Sequence, residues 1–583
     1  MKNLLKWFLN PSHLALIFLG LIFSLPFSLA NRTGLQPSFY LESLSFLLLW
    51  LMVLMAAWHH HLVWHKNATV LCLIGMYFPV QMLFQPAVYP VFSWLMLIIM
   101  VSLAFAVLAI SALIDHYGKE KILWVISVSL LIATLFQCFV SWIQYFNMTH
   151  YFHGFLMQPK DHFYVFGQLA QRNHLGHFMM WGLLAGIYLY IEKTSPKVIL
   201  SCIALIVFTF GLMSSRTAIL YVMVLMIVSL LYRYFRPQQK AMANTIIIIM
   251  LSIIVIQWLM PLWLNQFQSG LHRLSHGEDA SRLHEWHKAW LVFLENPWFG
   301  TGWQGYASAG FEMERNFRFQ DAPHLNILFT HCHNSILQLL AETGLIGTGL
   351  IIGGLIYITA PLFRLPANHG DFFIIGVLLV SLIHSNLEYP LWYLYFLIPF
   401  VLLANLSNHF QAACKTVHSQ KIMTIMATVM IAMTLNGFYQ YHQLNRLYRS
   451  PNLTASQKAE ALHQWGEQHI LLSYYADYSA ISQLPVFFDE AIHQKHSWLY
   501  DTLKRNVDFR PFSNIAARWS IAQWYAGEVD AANDWMYHTW QYYPARFRQD
   551  DKTIQEKKWQ GFETAMQNIH PILKDKPHSN PNQ

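Results

Sequence analysis

Five short strings in this chain hold the residues best suited to chemistry. They are Gln171-Arg172-Asn173-His174, Ser214-Ser215-Arg216, Arg282 within ASRLHEWHKAW, His333-Asn334 within HCHNSILQLLAETGLIG, and His384, Asn386, Glu388 and Tyr389 within HSNLEYPLWY. A guanidinium offers a planar fork of donors that matches phosphate oxygens bidentately, and it stays charged at any physiological pH. Arg172, Arg216 and Arg282 could converge on one anion, and a diphosphate would satisfy two or three such groups. A neutral imidazole can accept a hydroxyl proton near pH 7, which makes His333 a candidate base.

Plainer readings compete at each position. A lone arginine at a helix end usually anchors the helix by snorkelling. Arg216 fits that reading poorly, because it sits in a very tight turn between two apolar runs. The run His59-His60-His61 reads as a solvated loop. His331, Cys332 and His333 alternate along a loop, a poor arrangement for a tetrahedral metal, so no metal site is expected there. Glu342 falls inside an apolar stretch and needs a partner, an arginine or a hydroxyl. Gly344, Gly347, Gly349, Gly353 and Gly354 read as sites of close helix packing.

Membrane helices must position these groups. Of 583 residues, 55% are hydrophobic and 11% charged, against roughly 25% charged in soluble domains. A membrane helix needs about 20 mostly apolar residues. Candidate spans fall near 12–30, 41–58, 68–85, 91–114, 122–144, 174–191, 198–213, 217–232, 243–264, 335–360, 372–384, 391–406 and 422–440, about thirteen in all. The first is read as an uncleaved helix rather than a signal peptide, since so many spans follow it. The fold class expected is all-α, a polytopic membrane protein.

Placing Lys2 and Lys6 in the cytoplasm puts Lys66, Lys119, Lys121, Lys193, Lys197, Arg233, Arg236, Lys240, Arg364, Lys415 and Lys421 in or beside cytoplasmic loops. The net charge of +7 therefore reflects membrane orientation and not a nucleic-acid partner. The five chemical strings then gather on the outer side. So do the long loop at about 265–334 and the tail. Two domains are expected: 1–440 in the membrane, and 441–583 as a small helical outer domain. Within the tail, Ala516–Pro544 reads as a helical hairpin around Gly527, and the last dozen residues as disordered. The aromatic string NPWFGTGWQGY in the long loop reads either as a cover over bound ligand or as interfacial packing. The five cysteines show neither metal-ligand nor redox spacing, so no disulfide framework is expected.

The string His333-Asn334-x-x-Leu337-Gln338-x-x-x-Glu342-x-Gly344-x-x-Gly347 resembles the signature of the O-antigen ligase superfamily. The contexts of Arg216 and Arg282 and their order before the histidine resemble it too. The QRNH and HSNLEYP strings, with an extra outer C-terminal domain, resemble the PglL-type protein O-oligosaccharyltransferase branch. The resemblance implies a GT-C-like glycosyltransferase of the Gram-negative inner membrane, with its active site facing the periplasm. It implies an undecaprenyl-pyrophosphate-linked glycan as donor, membrane lipid around it, and an acceptor protein such as a pilin. By the same resemblance Arg172, Arg216 and Arg282 would hold the donor pyrophosphate, and His333 would deprotonate or orient the acceptor hydroxyl. Gln171, Asn334 and Tyr389 would position substrate. No cofactor and no metal are implied, since arginines take up the leaving charge, and a single displacement would invert the sugar carbon. The alternatives are an O-antigen ligase acting on lipid A core, an O-antigen polymerase, and a transporter of lipid-linked glycans. Inverted repeats or charges deep in several spans would mark the transporter, and neither is visible.

Overall fold

A computed structural model describes residues 10–159, 164–264, 269–273, 280–317, 326–364, 368–406, 412–417, 420–484, 497–543 and 545. Each apolar stretch marked in the sequence is helical. Among the described residues, seven helices are long and apolar enough to cross a membrane, and four shorter apolar helices accompany them. This is the architecture of a multi-pass membrane protein. The first apolar stretch breaks into Pro11–Ile22 and Leu25–Ser28. Pro26 lacks the N–H needed to continue the first helix but suits the opening turn of the second. One small departure from an all-helical chain is an antiparallel ribbon joining Val63–His65 to Ala412–Val417.

The chain divides into two compact units. The first comprises Met1–Tyr77, Met96–Glu278 and Gly349–Phe438. Its centre is the helix Arg172–Ile191, buried at every position from His174 to Leu189. A helix surrounded on all sides has no polar face to show, which is why its amphipathicity is flat. Neighbouring helices come very close: a side chain on Gly182 would overlap Thr134 of the helix Lys119–Tyr145. Gly354 also packs against Val70 and Ile74, less tightly, as small residues at membrane-helix contacts do. Gly349 and Gly353 face open space, so close packing does not explain them.

The second unit comprises Phe78–Leu95, Asp279–Thr348 and Tyr439–Gln583. Five tail helices, Ala455–Gln468, Ser473–Gln483, Trp498–Phe509, Ser513–Tyr525 and Val529–Tyr542, each pack on the next. The hairpin expected around Gly527 is present, with that glycine at φ +82. The tail shares its unit with two earlier segments. The Tyr89 hydroxyl donates to Asp477 Oδ2 at 2.9 Å, and Tyr89, Phe92, Tyr474 and Phe509 form one aromatic cluster. Phe311 and Tyr543 share another. The expected disorder of the last dozen residues falls outside the described residues.

Lys119 and Asp371 form a buried ion pair within the first unit, Nζ to Oδ1 at 2.5 Å. Asp371 also closes the capping box of its own helix with Asn368. Removing one partner of such a pair leaves a desolvated charge, at a cost of about 3–5 kcal/mol. Lys119→Met should lower the thermal midpoint in detergent. Lys119→Met with Asp371→Asn, which keeps an acceptor for the cap, should recover more than half of the loss.

Candidate active site

Four of the expected site residues lie in the first unit, and three side chains from distant segments tie them together. Ser215 caps the helix Arg216–Phe235 by accepting from the Ala218 N–H at 3.3 Å. Its hydroxyl donates to Asn173 Oδ1 at 2.7 Å. Asn173 Nδ2 in turn donates to Glu388 Oε1 at 3.0 Å. Arg216 follows Ser215, Gln171 and Arg172 precede Asn173, and Tyr389 follows Glu388. The bridge therefore brings together the three segments that carry Gln171 and Arg172, Arg216, and Tyr389. Glu388 and Ser215 are buried, while the four flanking residues are only partly so. Arg172 lies over the Tyr164 ring, its guanidinium carbon 4.9 Å from the ring centre. Behind the bridge, His174 sits 5.3 Å from His384 and 5.6 Å from Tyr393, ring to ring.

His333, Asn334 and Arg282 lie in the second unit. Asn334 starts the helix Ser335–Arg364: its Oδ1 accepts from the Ile336 and Leu337 N–H groups, each at 3.1 Å. This is ordinary N-cap chemistry. It gives Asn334 a structural task that the resemblance alone did not supply. His333 is a non-glycine residue at φ +58, a left-handed conformation that costs energy unless its surroundings hold it. Its N–H donates to His331 Nδ1 at 3.0 Å. His331 is buried, and that burial, with the neighbouring His333, holds it well below the usual histidine range, so it stays neutral and able to accept. Burial likewise pushes the Cys332 thiol far up, as befits packing rather than reactivity. Arg282 lies on the helix Ala280–Glu295.

Glu342 finds its partner in an amide and a backbone N–H, where the sequence suggested an arginine or hydroxyl. Gln338 Nε2 donates to its Oε1 at 2.9 Å, and the Tyr306 N–H lies 3.4 Å from the same oxygen. Two residues on, Gly344 breaks the helix at φ +62 and ψ −168. The segment around Phe299 takes up the freed backbone. Thr301 and Gly302 N–H groups donate to the Ala341 and Glu342 carbonyls at 2.9 and 3.1 Å, and the Leu345 N–H donates to the Pro297 carbonyl at 2.8 Å. A side chain at Gly344 would run into the Trp298 carbonyl, so close backbone approach and positive φ both require glycine there. Within NPWFGTGWQGY, Phe299 stacks on Phe84 and Trp303 meets Phe78 edge-on. Those two rings serve packing.

Buried glutamines carry much of this irregular backbone, and none outside the family string was singled out in the sequence. Gln144 accepts from the Phe166 and Gly167 N–H groups at 3.1 and 2.8 Å. Gln137 accepts from the Gln168 N–H at 2.9 Å. Together they hold the segment leading into Gln171 and Arg172. Gln257 donates to the Phe210 and Met213 carbonyls, just ahead of Ser215 and Arg216. Gln81 donates to the Phe299 and Glu342 carbonyls at 2.6 and 2.7 Å. Gln338 accepts from the Cys332 N–H at 2.8 Å, next to His333. The available signal was a lone amide inside an apolar run, which must find a partner within the protein.

A charged cluster also escaped the sequence reading. Lys288 Nζ lies 2.6 Å from Glu285 Oε1 and 2.7 Å from Glu314 Oε1, while His284 Nε2 lies 3.0 Å from the latter. His284, Glu285 and Glu314 stand close enough together to hold a cation. The Lys288 ammonium already stands between the two carboxylates, so these residues do not fit a metal ion. Burial alone would raise the Glu314 carboxyl. Its His284 and Lys288 contacts outweigh that and lower it.

Comparison with known proteins converges on one group. Residues 201–352 match the O-antigen ligase family, and residues 165–190 the protein glycosylation ligase family. Residues 372–558 match the C-terminal part of the virulence factor membrane-bound polymerase family. The chain resembles the protein-glycosylating branch of the O-antigen ligase superfamily. It is 27% identical over 377 residues to the general O-oligosaccharyltransferase of Acinetobacter baylyi, covering 61% of this chain and 62% of the relative. It is also 27% identical over 239 residues to the ComP-specific O-oligosaccharyltransferase of that organism, covering 40% and 41%. The chain thus aligns with less than two thirds of either relative's length. The protein glycosylation ligase match contains Gln171 and Arg172, and the O-antigen ligase match contains Arg216, Arg282, His333 and Asn334. Tyr389 falls in the polymerase-type match.

Two outcomes follow for the second unit. Gln338→Ala leaves the buried Cys332 N–H and Glu342 without their partner, a cost of about 1–3 kcal/mol. Hydrogen exchange at Cys332 and His333 should accelerate accordingly. Because the Glu314 carboxyl is lowered in the folded state, its contribution is full above the ordinary carboxylate range and is lost as pH falls through its depressed value. Lys288→Met should therefore flatten the acid limb of the stability curve, followed by thermal midpoint from pH 7 to 3.

Proposed function

We propose that this protein is a protein O-oligosaccharyltransferase of the Gram-negative inner membrane. It moves a glycan from an undecaprenyl-pyrophosphate carrier to Ser or Thr hydroxyls of periplasmic proteins such as a pilin. The observation that carries this reading is the Ser215–Asn173–Glu388 bridge, which brings together the three distant segments that carry Gln171 and Arg172, Arg216, and Tyr389. The likeness to O-oligosaccharyltransferases supports it. In this reading the chain has about thirteen spans, with domains 1–440 and 441–583. Its tail, its long loop and its active site face the periplasm, as the distribution of Lys and Arg favours.

Arg172, Arg216 and Arg282 hold the diphosphate as charge builds on it, an electrostatic stabilisation of the leaving group. Gln171, Asn334 and Tyr389 position donor or acceptor. The acceptor hydroxyl attacks the sugar C1 from the face opposite the diphosphate. The C1–oxygen bond to the carrier breaks, the C1–oxygen bond to the protein forms, and C1 inverts. The hydroxyl proton passes to the half-buried imidazole of His333, whose backbone N–H donates to His331. Guanidinium groups stand where metal-assisted enzymes place a cation, so the reaction runs without metal.

General-base removal typically costs about 10²–10⁴ in rate. In cells supplying an undecaprenyl-linked glycan and a pilin, wild type should shift the intact mass of the pilin. His333→Ala should abolish the shift while the protein still accumulates in the membrane. A histidine-dependent change in lipopolysaccharide with no pilin shift would instead identify a ligase acting on lipid A core.

A further inference from the structure

A fourth arginine sits against the first-unit residues and takes no part in the reading above. Arg32 follows the short helix Leu25–Ser28. Its Nε donates to the Gln168 carbonyl at 3.3 Å, and Nη1 lies 3.5 Å from the Tyr395 hydroxyl. The guanidinium carbon lies 5.6 Å from the Tyr395 ring centre. Nη2 is buried and has no hydrogen-bond partner among the described residues. Arg32 forms no ion pair among the described residues. Its charge reaches His174 and Glu42, without direct contact.

The surroundings place this unused donor beside the candidate site. Gln168 lies three positions before Gln171 and is itself held by Gln137. Tyr395 is 5.3 Å from Tyr393, and Tyr393 is 5.7 Å from Tyr389, ring to ring. Tyr393 also meets His174, two residues after Arg172. A buried guanidinium N–H without an acceptor is costly, and an anionic oxygen would satisfy it best. The other two contacts are long, as expected of a group that is steered but not fully engaged.

We propose that Arg32 is a further ligand of the donor's diphosphate, offering Nη2 to a phosphate oxygen while the Gln168 carbonyl aims the fork. This rests on the transferase reading. The competing view is that Arg32 merely staples its loop to Gln168 and Tyr395.

The two are separated by binding of undecaprenyl pyrophosphate to the full-length protein in detergent, read by quenching of tryptophan fluorescence. The proteins are wild type, Arg32→Gln, Arg32→Lys and Tyr395→Phe, each kept below its own thermal midpoint. Loss of a charged, hydrogen-bonded phosphate contact should raise Kd at least about tenfold in Arg32→Gln. Arg32→Lys should recover part of that, since it keeps the charge and loses only the fork. Tyr395→Phe, which removes a staple but not Nη2, should stay within about twofold of wild type. Unchanged affinity in Arg32→Gln overturns the proposal and leaves the transferase reading standing. Equal weakening in Arg32→Gln and Tyr395→Phe does the same, in favour of the staple. Absence of binding by wild type overturns both.

Discussion

Buried amides satisfying irregular backbone are the interaction on which the rest of this protein depends. Inside a bundle that excludes water, each backbone N–H and carbonyl needs a partner within the protein. Helices meet that demand by themselves, but a site for chemistry needs backbone that bends. Here three of the five candidate segments bend next to a buried glutamine: Gln137 and Gln144 before Gln171 and Arg172, Gln257 before Arg216, Gln338 beside His333. A glutamine both donates and accepts, so one side chain can close two gaps in a turn. Gln144 does so fully, accepting from Phe166 and Gly167 while donating to the Met157 and Gly167 carbonyls at 2.9 and 2.7 Å.

With the backbone held in this way, the charged groups need no further scaffolding. Ser215, Asn173 and Glu388 join three segments through a capping hydroxyl, an amide and a carboxylate, and Arg172 and Arg216 lie next to them in sequence. In the second unit the left-handed His333 is fixed by a contact to a neutral His331, while Cys332 beneath it is packed into the core. In the proposed reaction, anion binding and proton transfer fall to different residues on separately braced segments. A displacement with a diphosphate leaving group asks for that division of labour.

The sequence showed the helices well, because each is a long apolar run and little else can satisfy such a run. It placed Arg172 and Arg216 at the ends of apolar runs and His333 just ahead of one, and a helix starts at or just after each; Arg282, read as part of the long loop, lies on the helix Ala280–Glu295. It did not show the pairings. Asn173 and Glu388 are 215 positions apart, and nothing local links them. Glu342 reads as a residue in need of an arginine or a hydroxyl and instead bonds to Gln338 and to the Tyr306 backbone. The Lys288 cluster was hidden because HEWHKAW reads as an amphipathic helix face, and only folding brings Glu314 against it. Arg32 is, in the sequence, a single charge after the first apolar stretch. Its significance lies in the Gln168 and Tyr395 contacts, which no spacing rule encodes.

In the proposed reaction, arginines hold a diphosphate while an imidazole takes the proton from a protein hydroxyl in one displacement. Its most direct test is reconstitution of purified protein with a defined undecaprenyl-pyrophosphate glycan and an acceptor protein, in excess metal chelator. The anomeric configuration of the product linkage is then read by NMR. The account predicts transfer undiminished by the chelator and a single product inverted at C1. A retained configuration, or transfer that stops on chelation and resumes with added divalent cation, would contradict it.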